Sequence, residues 1–305
     1  MTIRPRHWLA LFGLVLLWGS SYLLIELALI HWRPEQLTGL RVALAAVVLL
    51  IAMAVSRETI PRSPRIWTYF LSIAIVGNCV PFFLISWGQQ YVESGLAGIL
   101  AATTPLIVLI LAHYTLPDEP LRRGHFVSFL LGFAGIVTLL GSDSLAGLEG
   151  KGQRMLGQLA IVAGAFCYAA ATIMARRMPR ASPLVTSAGV MLLAGSIMSP
   201  FTVQGAAQLP GATPLALLAL VLLGLLGTGF ASILYFHLIN QTGARFTSLL
   251  NYLVPIWAVM LGSVILNEEL RLSTWIALIL ILSGLIFISR SDDIAPRLRV
   301  PRSLD

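Results

Sequence analysis

Two charged side chains, Glu26 and Arg41, and a set of aromatic, amide and hydroxyl side chains lie inside otherwise apolar stretches, so they carry whatever chemistry the chain can do. The polar ones fall at helical spacing: Trp18, Tyr22 and Glu26; Asn78, Phe82 and Gln89; Tyr168 and Thr172; Thr228, Ser232 and Tyr235. A polar stripe on an apolar helix faces protein or water rather than lipid. The resulting inner face is aromatic with hydroxyl and amide tips and nearly uncharged. It suits a zwitterionic, neutral or partly aromatic solute, because a strongly anionic one would demand Arg or Lys at depth. Glu26 and Arg41 stand at similar distances from the turn at Arg33 and Pro34, and two readings of them stay open. One is an ion pair locking the first two helices; the other makes Glu26 a protonatable coupling group or Arg41 a carboxylate contact. No Ser/His/Asp set, HExxH, CxxC or paired intramembrane carboxylates occurs, so catalysis has no visible site and no cofactor or metal is expected. Cys79 and Cys167 read as small apolar packers, and His113 and His237 as ordinary interfacial histidines.

Pro105 and Pro255 introduce a second kind of chemistry. A proline inside a helix removes the hydrogen bond to the carbonyl four residues back, here Ala101 and Asn251. Bare carbonyls do not face lipid. Either neighbouring groups such as Thr103, Thr104, Asn251 and Tyr252 satisfy them in a structural kink, or they line a wet, gating cavity. The two prolines lie 150 residues apart within segments that align without a gap: Gly77 on Gly227, Leu84 on Leu234, Leu100 on Leu250, Leu111 on Leu261, Leu116 on Leu266 and Glu119 on Glu269. Tyr22 and Tyr168 match at an offset of 146, after a small insertion. Paired, proline-interrupted segments in two halves point to a binding site at the membrane midplane. Trp18 and Trp257, deep in their segments, are candidates for that site or for buried packing, whereas Trp8, Trp32, Trp67 and Trp275 lie near segment ends as interfacial anchors. Glu119 and Glu269 read as loop-end capping or pairing residues.

The elements that must position these groups are membrane helices. Charged residues make up 11% of the 305 residues against 57% for the hydrophobic set, a composition that fits an integral membrane protein. Ten apolar spans are expected, at about 8–30, 36–55, 66–89, 94–116, 122–141, 155–176, 182–203, 214–240, 244–266 and 272–289. At about 1.5 Å per residue each can cross roughly 30 Å of hydrocarbon. The first follows Arg4, Arg6 and His7 but is too long for a signal peptide and is read as a retained helix. Loops are short and leave no soluble domain, so any energy source is a gradient. Of the 20 Lys and Arg residues, Arg33, Lys151, Arg154 and Arg271 fall on one side, Arg41 lies within a span, and the other 15 fall on the opposite side. Both termini are therefore expected in the cytoplasm. The net charge of +7 belongs to this asymmetry and does not indicate nucleic acid. Five spans per repeat is odd, so the fold expected is all-α: two inverted five-helix repeats, 8–141 and 155–289, followed by a basic cytoplasmic tail, 290–305. Small residues such as Gly132, Gly135, Gly224, Gly227 and Gly229 allow close helix approach, mostly within one chain; the oligomeric state stays open.

WGSSY at Trp18–Tyr22, Arg41 early in the second span, PLIVLILAHYTLPDEPL at Pro105–Leu121 and NYLVPIWAVMLGSVILNEEL at Asn251–Leu270 resemble the EamA family of the drug/metabolite transporter superfamily along nearly the whole chain. Within it the chain is similar to ten-helix bacterial amino-acid exporters. The resemblance implies a carrier in the bacterial inner membrane that exports aromatic or neutral amino acids or related metabolites by alternating access. It also implies a cavity built mainly from helices 1, 3, 4, 6, 8 and 9. The candidate substrate-binding set is Trp18, Tyr22, Asn78, Phe82, Thr104, Tyr168, Ser232, Asn251, Tyr252 and Trp257. Export of drugs or other metabolites is the main rival. A lipid enzyme or a non-transporting scaffold is disfavoured by the lack of a surface cluster and by the polar inner face. The charge asymmetry makes one direct prediction. A periplasm-active reporter fused after Arg302 is expected to be silent, and high activity there would contradict cytoplasmic termini.

Overall fold

A computed structural model describes residues 4–59, 61–115, 123–145, 151–179, 181–269 and 271–293. Among these the regular structure is entirely helical. In chain order the helices are α1 (Pro5–Leu29), α2 (Pro34–Val55), α3 (Pro64–Gly88), α4 (Ser94–Thr115), α5 (Arg123–Leu145), α6 (Lys151–Arg177), α7 (Pro183–Ile197 and Ser199–Ala206), α8 (Pro214–Gly243), α9 (Leu250–Ile265) and α10 (Leu272–Asp293). Among the described residues, six (α1, α2, α3, α4, α6 and α8) are long and apolar enough to cross a membrane. The bent α7 makes a seventh as one span, and α5, α9 and α10 contain shorter apolar stretches. All ten expected segments are helical, with two clear differences. The sixth helix starts at Lys151 rather than near 155, and the seventh is broken. Glu119 and most of the basic tail lie outside the described residues.

Local chemistry sets the starts and the breaks. Pro5, Pro34, Pro64, Pro183 and Pro214 each open a helix, where the missing N–H costs nothing and the fixed φ is already helical. Thr213 caps α8 by accepting from the Ala216 N–H at 3.2 Å. Pro200 bends α7 by 69° at Met198, and the Ser196 carbonyl it strands is taken by the Ser199 hydroxyl at 2.8 Å. Trp32, expected as an interfacial anchor, is 1% exposed instead and donates its indole N–H to the Gly205 carbonyl. Burial made that bond necessary.

Packing follows the duplication. Helix α1 lies on α9 as α6 lies on α4; α2 lies on α8 as α7 on α3; α3 lies on α6 as α8 on α1. The remaining large contacts, α2 with α7, α4 with α9 and α5 with α10, each join equivalent helices. This is the pattern a two-fold relation between the halves produces. It reaches single residues in the α5–α10 pair. A methyl group added at Gly284 would sit 2.8 Å from the Ser128 carbonyl, and one at Gly135 would sit 3.1 Å from the Ala277 carbonyl. Both pairs are related by an offset of 149. Without a hydrophobic drive between helices in lipid, such close backbone approach supplies much of the association. Gly284→Val is therefore expected to overpack this contact and destabilise the protein by about 1–3 kcal/mol. Thermal unfolding in detergent should show a clear drop beside an unchanged Ile279→Val, whose side chain is outward-facing at 63% exposure. Equal midpoints would contradict the packing.

Candidate functional site

The two halves enclose a cavity of about 440 Å³, within the range of small-molecule sites. Its walls come from α1, α2, α3, α4, α6, α7, α8 and α9. Two local distortions shape it, and both occur at the repeat offset. In α3 the residues Ile75–Cys79, and in α8 the residues Leu222–Phe230, form wide turns of π type. A wide turn disturbs the normal ladder, and a side chain repairs it at the same place in each half. The Asn78 amide donates to the Ile73 carbonyl at 3.2 Å, and the Thr228 hydroxyl donates to the Leu223 carbonyl at 2.9 Å. Asn78 and Thr228 are 150 residues apart, as are Ile73 and Leu223. Both polar residues line the cavity.

The prolines act differently in the two halves. In α4 the helix is interrupted at Ala102 and Thr103, and the Thr104 hydroxyl donates to the Ala101 carbonyl at 2.8 Å. In α9 the helix continues through Pro255, and Asn251, whose carbonyl loses its helical donor, is exposed while lining the cavity. Both prolines lie on the wall.

Of the expected substrate-binding set, Trp18, Tyr22, Asn78, Phe82, Thr104, Tyr168, Ser232 and Asn251 are brought together around this one space. Tyr252 and Trp257 are not. On α9 the cavity face is Leu250, Asn251, Val254 and Pro255, at i, i+1, i+4 and i+5. Tyr252 is one residue round and donates its hydroxyl to the Leu285 carbonyl of α10 at 2.6 Å. Trp257 packs on Gly19 of α1, and its indole N–H donates to the Ser20 hydroxyl at 3.0 Å.

The expected Glu26–Arg41 ion pair is not formed. Arg41 is 7% exposed and turns into the cavity, where its Nε donates to the Thr228 hydroxyl across the two halves at 2.7 Å. Its guanidinium lies over the Phe82 ring, 3.8 Å from the centroid, and Phe82 meets Tyr168 edge-on at 6.3 Å. A cation over an aromatic face is attracted by the ring quadrupole. Thr228 thus serves twice, holding the wide turn and orienting the cation. Among the described residues the lining thus carries one charge, Arg41, which the stripes alone did not include. Thr228, named in the α8 stripe but left out of the candidate substrate-binding set, could have been added by carrying Asn78 through the 150-residue offset.

At the end of the cavity nearest the α1–α2 turn, polar contacts join the halves. Glu268, just past α9, accepts from the Ser94 N–H and hydroxyl at 2.7 and 2.6 Å and from the Gly95 N–H at 2.9 Å, capping α4. Glu268, rather than the exposed Glu269, fills the capping role. Arg154 of α6 makes a two-pronged pair with Glu93, both bonds at 2.7 Å. All residues of Ser94–Ala101 are buried. This end is closed, whereas Asn251 at the other end is exposed.

The model of the EamA-like transporter family matches the chain twice, at residues 7–141 and 155–290. The chain is 26% identical over 296 residues to the uncharacterized inner membrane transporter YedA of Escherichia coli strain K12, covering 94% of this chain and 92% of that one. It is 22% identical over 279 residues to the uncharacterized transporter YoaV of Bacillus subtilis, covering 91% and 94%. With protein PagO of Salmonella typhimurium it shares 27% over 296 residues, covering 95% of each chain. A protein of known crystal structure superposes with a TM-score of 0.65 at 24% identity, over 97% of this chain and all of that one, a likeness in fold.

Proposed function

The chain belongs to the EamA-like transporter family, and we propose that it exports a small solute bearing a carboxylate, an amino acid or a related metabolite, by alternating access around the central cavity. One observation carries the substrate class: among the described residues the single charged side chain on the cavity wall is a cation, Arg41. Thr228 fixes its Nε, and its two terminal amino groups have no protein acceptor among the described residues. A guanidinium held this way presents paired donors that match a carboxylate. Phe82, Tyr168, Tyr22 and Trp18 supply aromatic walls for an apolar side chain, and Asn78, Ser232 and Asn251 supply polar contacts for the rest. A lipophilic drug cation would meet Arg41 unfavourably, and this separates the reading from drug export.

The remaining parts of the reading follow from topology. The protein is a multi-pass membrane protein whose ten helices cross the bacterial inner membrane with both termini in the cytoplasm, as the charge asymmetry supports. In that orientation the closed end faces outward, and the open end at Asn251 takes solute from the cytoplasm. Parting of the halves at Ser94 and Glu268 then releases it outside. The carrier is secondary-active or facilitative, with 8–141 and 155–289 moving against each other.

Purified protein in liposomes, tested against a panel of amino acids, decides this. Saturable flux of phenylalanine or another neutral amino acid is expected, with no flux of the corresponding amine that lacks the carboxylate. Arg41→Gln should lower transport roughly 10- to 100-fold, since a hydrogen bond to a charged group is worth about 1.5–3 kcal/mol. Flux of amines or drug cations that survives Arg41→Gln would contradict the assignment.

A further inference from the structure

Glu26 is left over once Arg41 is assigned to the cavity. It lies near the closed end of α1, and its Oε2 atom is shut off from solvent with no hydrogen-bond partner. Its side-chain neighbour is Gln89 of α3. Gln89 is 2% exposed; its Nε2 donates to the Tyr22 carbonyl of α1 at 2.8 Å, and its Oε1 is also buried without a partner. Two adjacent side chains therefore each keep a buried acceptor oxygen that no group among the described residues serves. Exchanging the amide oxygen and nitrogen of Gln89 does not help, because the oxygen then meets the Tyr22 carbonyl. In either orientation one donor is missing.

The charged groups around Glu26 do not supply it. Glu268, beyond α9, and Glu93, before α4, are the other carboxylates that face it. Glu268 is already the acceptor of three hydrogen bonds from Ser94 and Gly95, and Glu93 is matched by Arg154. Arg41 of α2 is turned toward Thr228 and Phe82. The arm of α8 that packs on α1 from Pro214 to Phe230 has no titratable side chain. An ionised Glu26 would thus be a third carboxylate with no cation and an unserved oxygen, which is costly at this depth.

We propose that Glu26 is a proton-binding site: its carboxyl carries a proton on Oε2 and donates it to the Gln89 Oε1, a hydrogen bond that satisfies both stranded oxygens. The proton comes from water and returns to water, with no other reactant. Gln89 is the positioning residue, fixed by its bond to Tyr22, one helical turn from Glu26 and itself on the cavity wall. Within the transport reading above, on which this last step alone rests, parting of the halves at Ser94 and Glu268 wets Glu26 and lets the proton leave.

Infrared spectroscopy of the purified full-length protein in liposomes tests the site without any substrate, so a failure of the transport reading leaves the result intact. At neutral pH in potassium buffer the wild type is expected to show a protonated-carboxyl stretch that vanishes only on raising the pH. Glu26→Gln, whose amide still donates to Gln89 and keeps the fold, should lack that one band. Gln89→Leu should move it to higher frequency through loss of the acceptor. Identical wild-type and Glu26→Gln spectra at neutral pH would overturn the proposal. So would a band that disappears when sodium chloride is added at fixed pH, which would make the site a cation site.

Discussion

Inside a bilayer no water is present to serve a backbone carbonyl or a polar side chain, so every departure from regular helix must be repaired by the protein or must border a wet space. That constraint explains where this structure is irregular. Pro105 strands the Ala101 carbonyl and Thr104 takes it; Pro200 strands Ser196 and Ser199 takes it. The wide turns in α3 and α8 are repaired by Asn78 and Thr228. Where no such repair is available, at Asn251 before Pro255, the residue borders the cavity. Polar groups accumulate around the cavity because leaving them near water there costs little.

The same residues then acquire a second use. Thr228 is needed to close the turn in α8, and once it is there its hydroxyl can accept from a cation across the interface between the halves. Arg41 has no counterpart in the second half, where the aligned stretch of α7 carries Val190 and Met191. The architecture is thus two-fold in its packing and one-sided in its charge. This suits the proposed carrier, in which symmetric packing would let either end open and a single cation would fix the orientation of the solute within a nearly symmetric chamber. The closed end differs in kind, since carboxylates dominate there: Glu268 accepts from the Ser94 and Gly95 N–H groups and the Ser94 hydroxyl, Glu93 from Arg154, and Glu26 is the one proposed to carry a proton.

Much of this was legible in the sequence. Composition, span length and the 150-residue offset were enough for an all-helical inverted repeat, and helical spacing placed Trp18, Tyr22, Asn78, Phe82, Tyr168 and Ser232 on one inner face. What failed did so for geometric reasons. Tyr252 was chosen for its place near Pro255 and Trp257 for its depth in the segment, but Tyr252 reaches Leu285 of α10 and Trp257 reaches Ser20 of α1 instead. Glu26 and Arg41 were paired because their sequence distances from the turn are alike. Distance along two helices does not set which way each side chain points, and the hydroxyl of Thr228 and the face of Phe82 were nearer. The break of α7 could have been read from Ser199 and Pro200; the wide turns could not, since they leave no signature beyond Gly77 and Gly227.

The central claim is that both halves line a single chamber that holds the solute. Single cysteines at Asn78 and Asn251, in a background lacking Cys79 and Cys167, test it with a small membrane-impermeant thiol reagent applied to inside-out and right-side-out vesicles. The account predicts that both react from the cytoplasmic side, that a transported amino acid slows both, and that Leu280 does not react. Inert cysteines at Asn78 and Asn251 from both sides, under conditions that support transport, would contradict it.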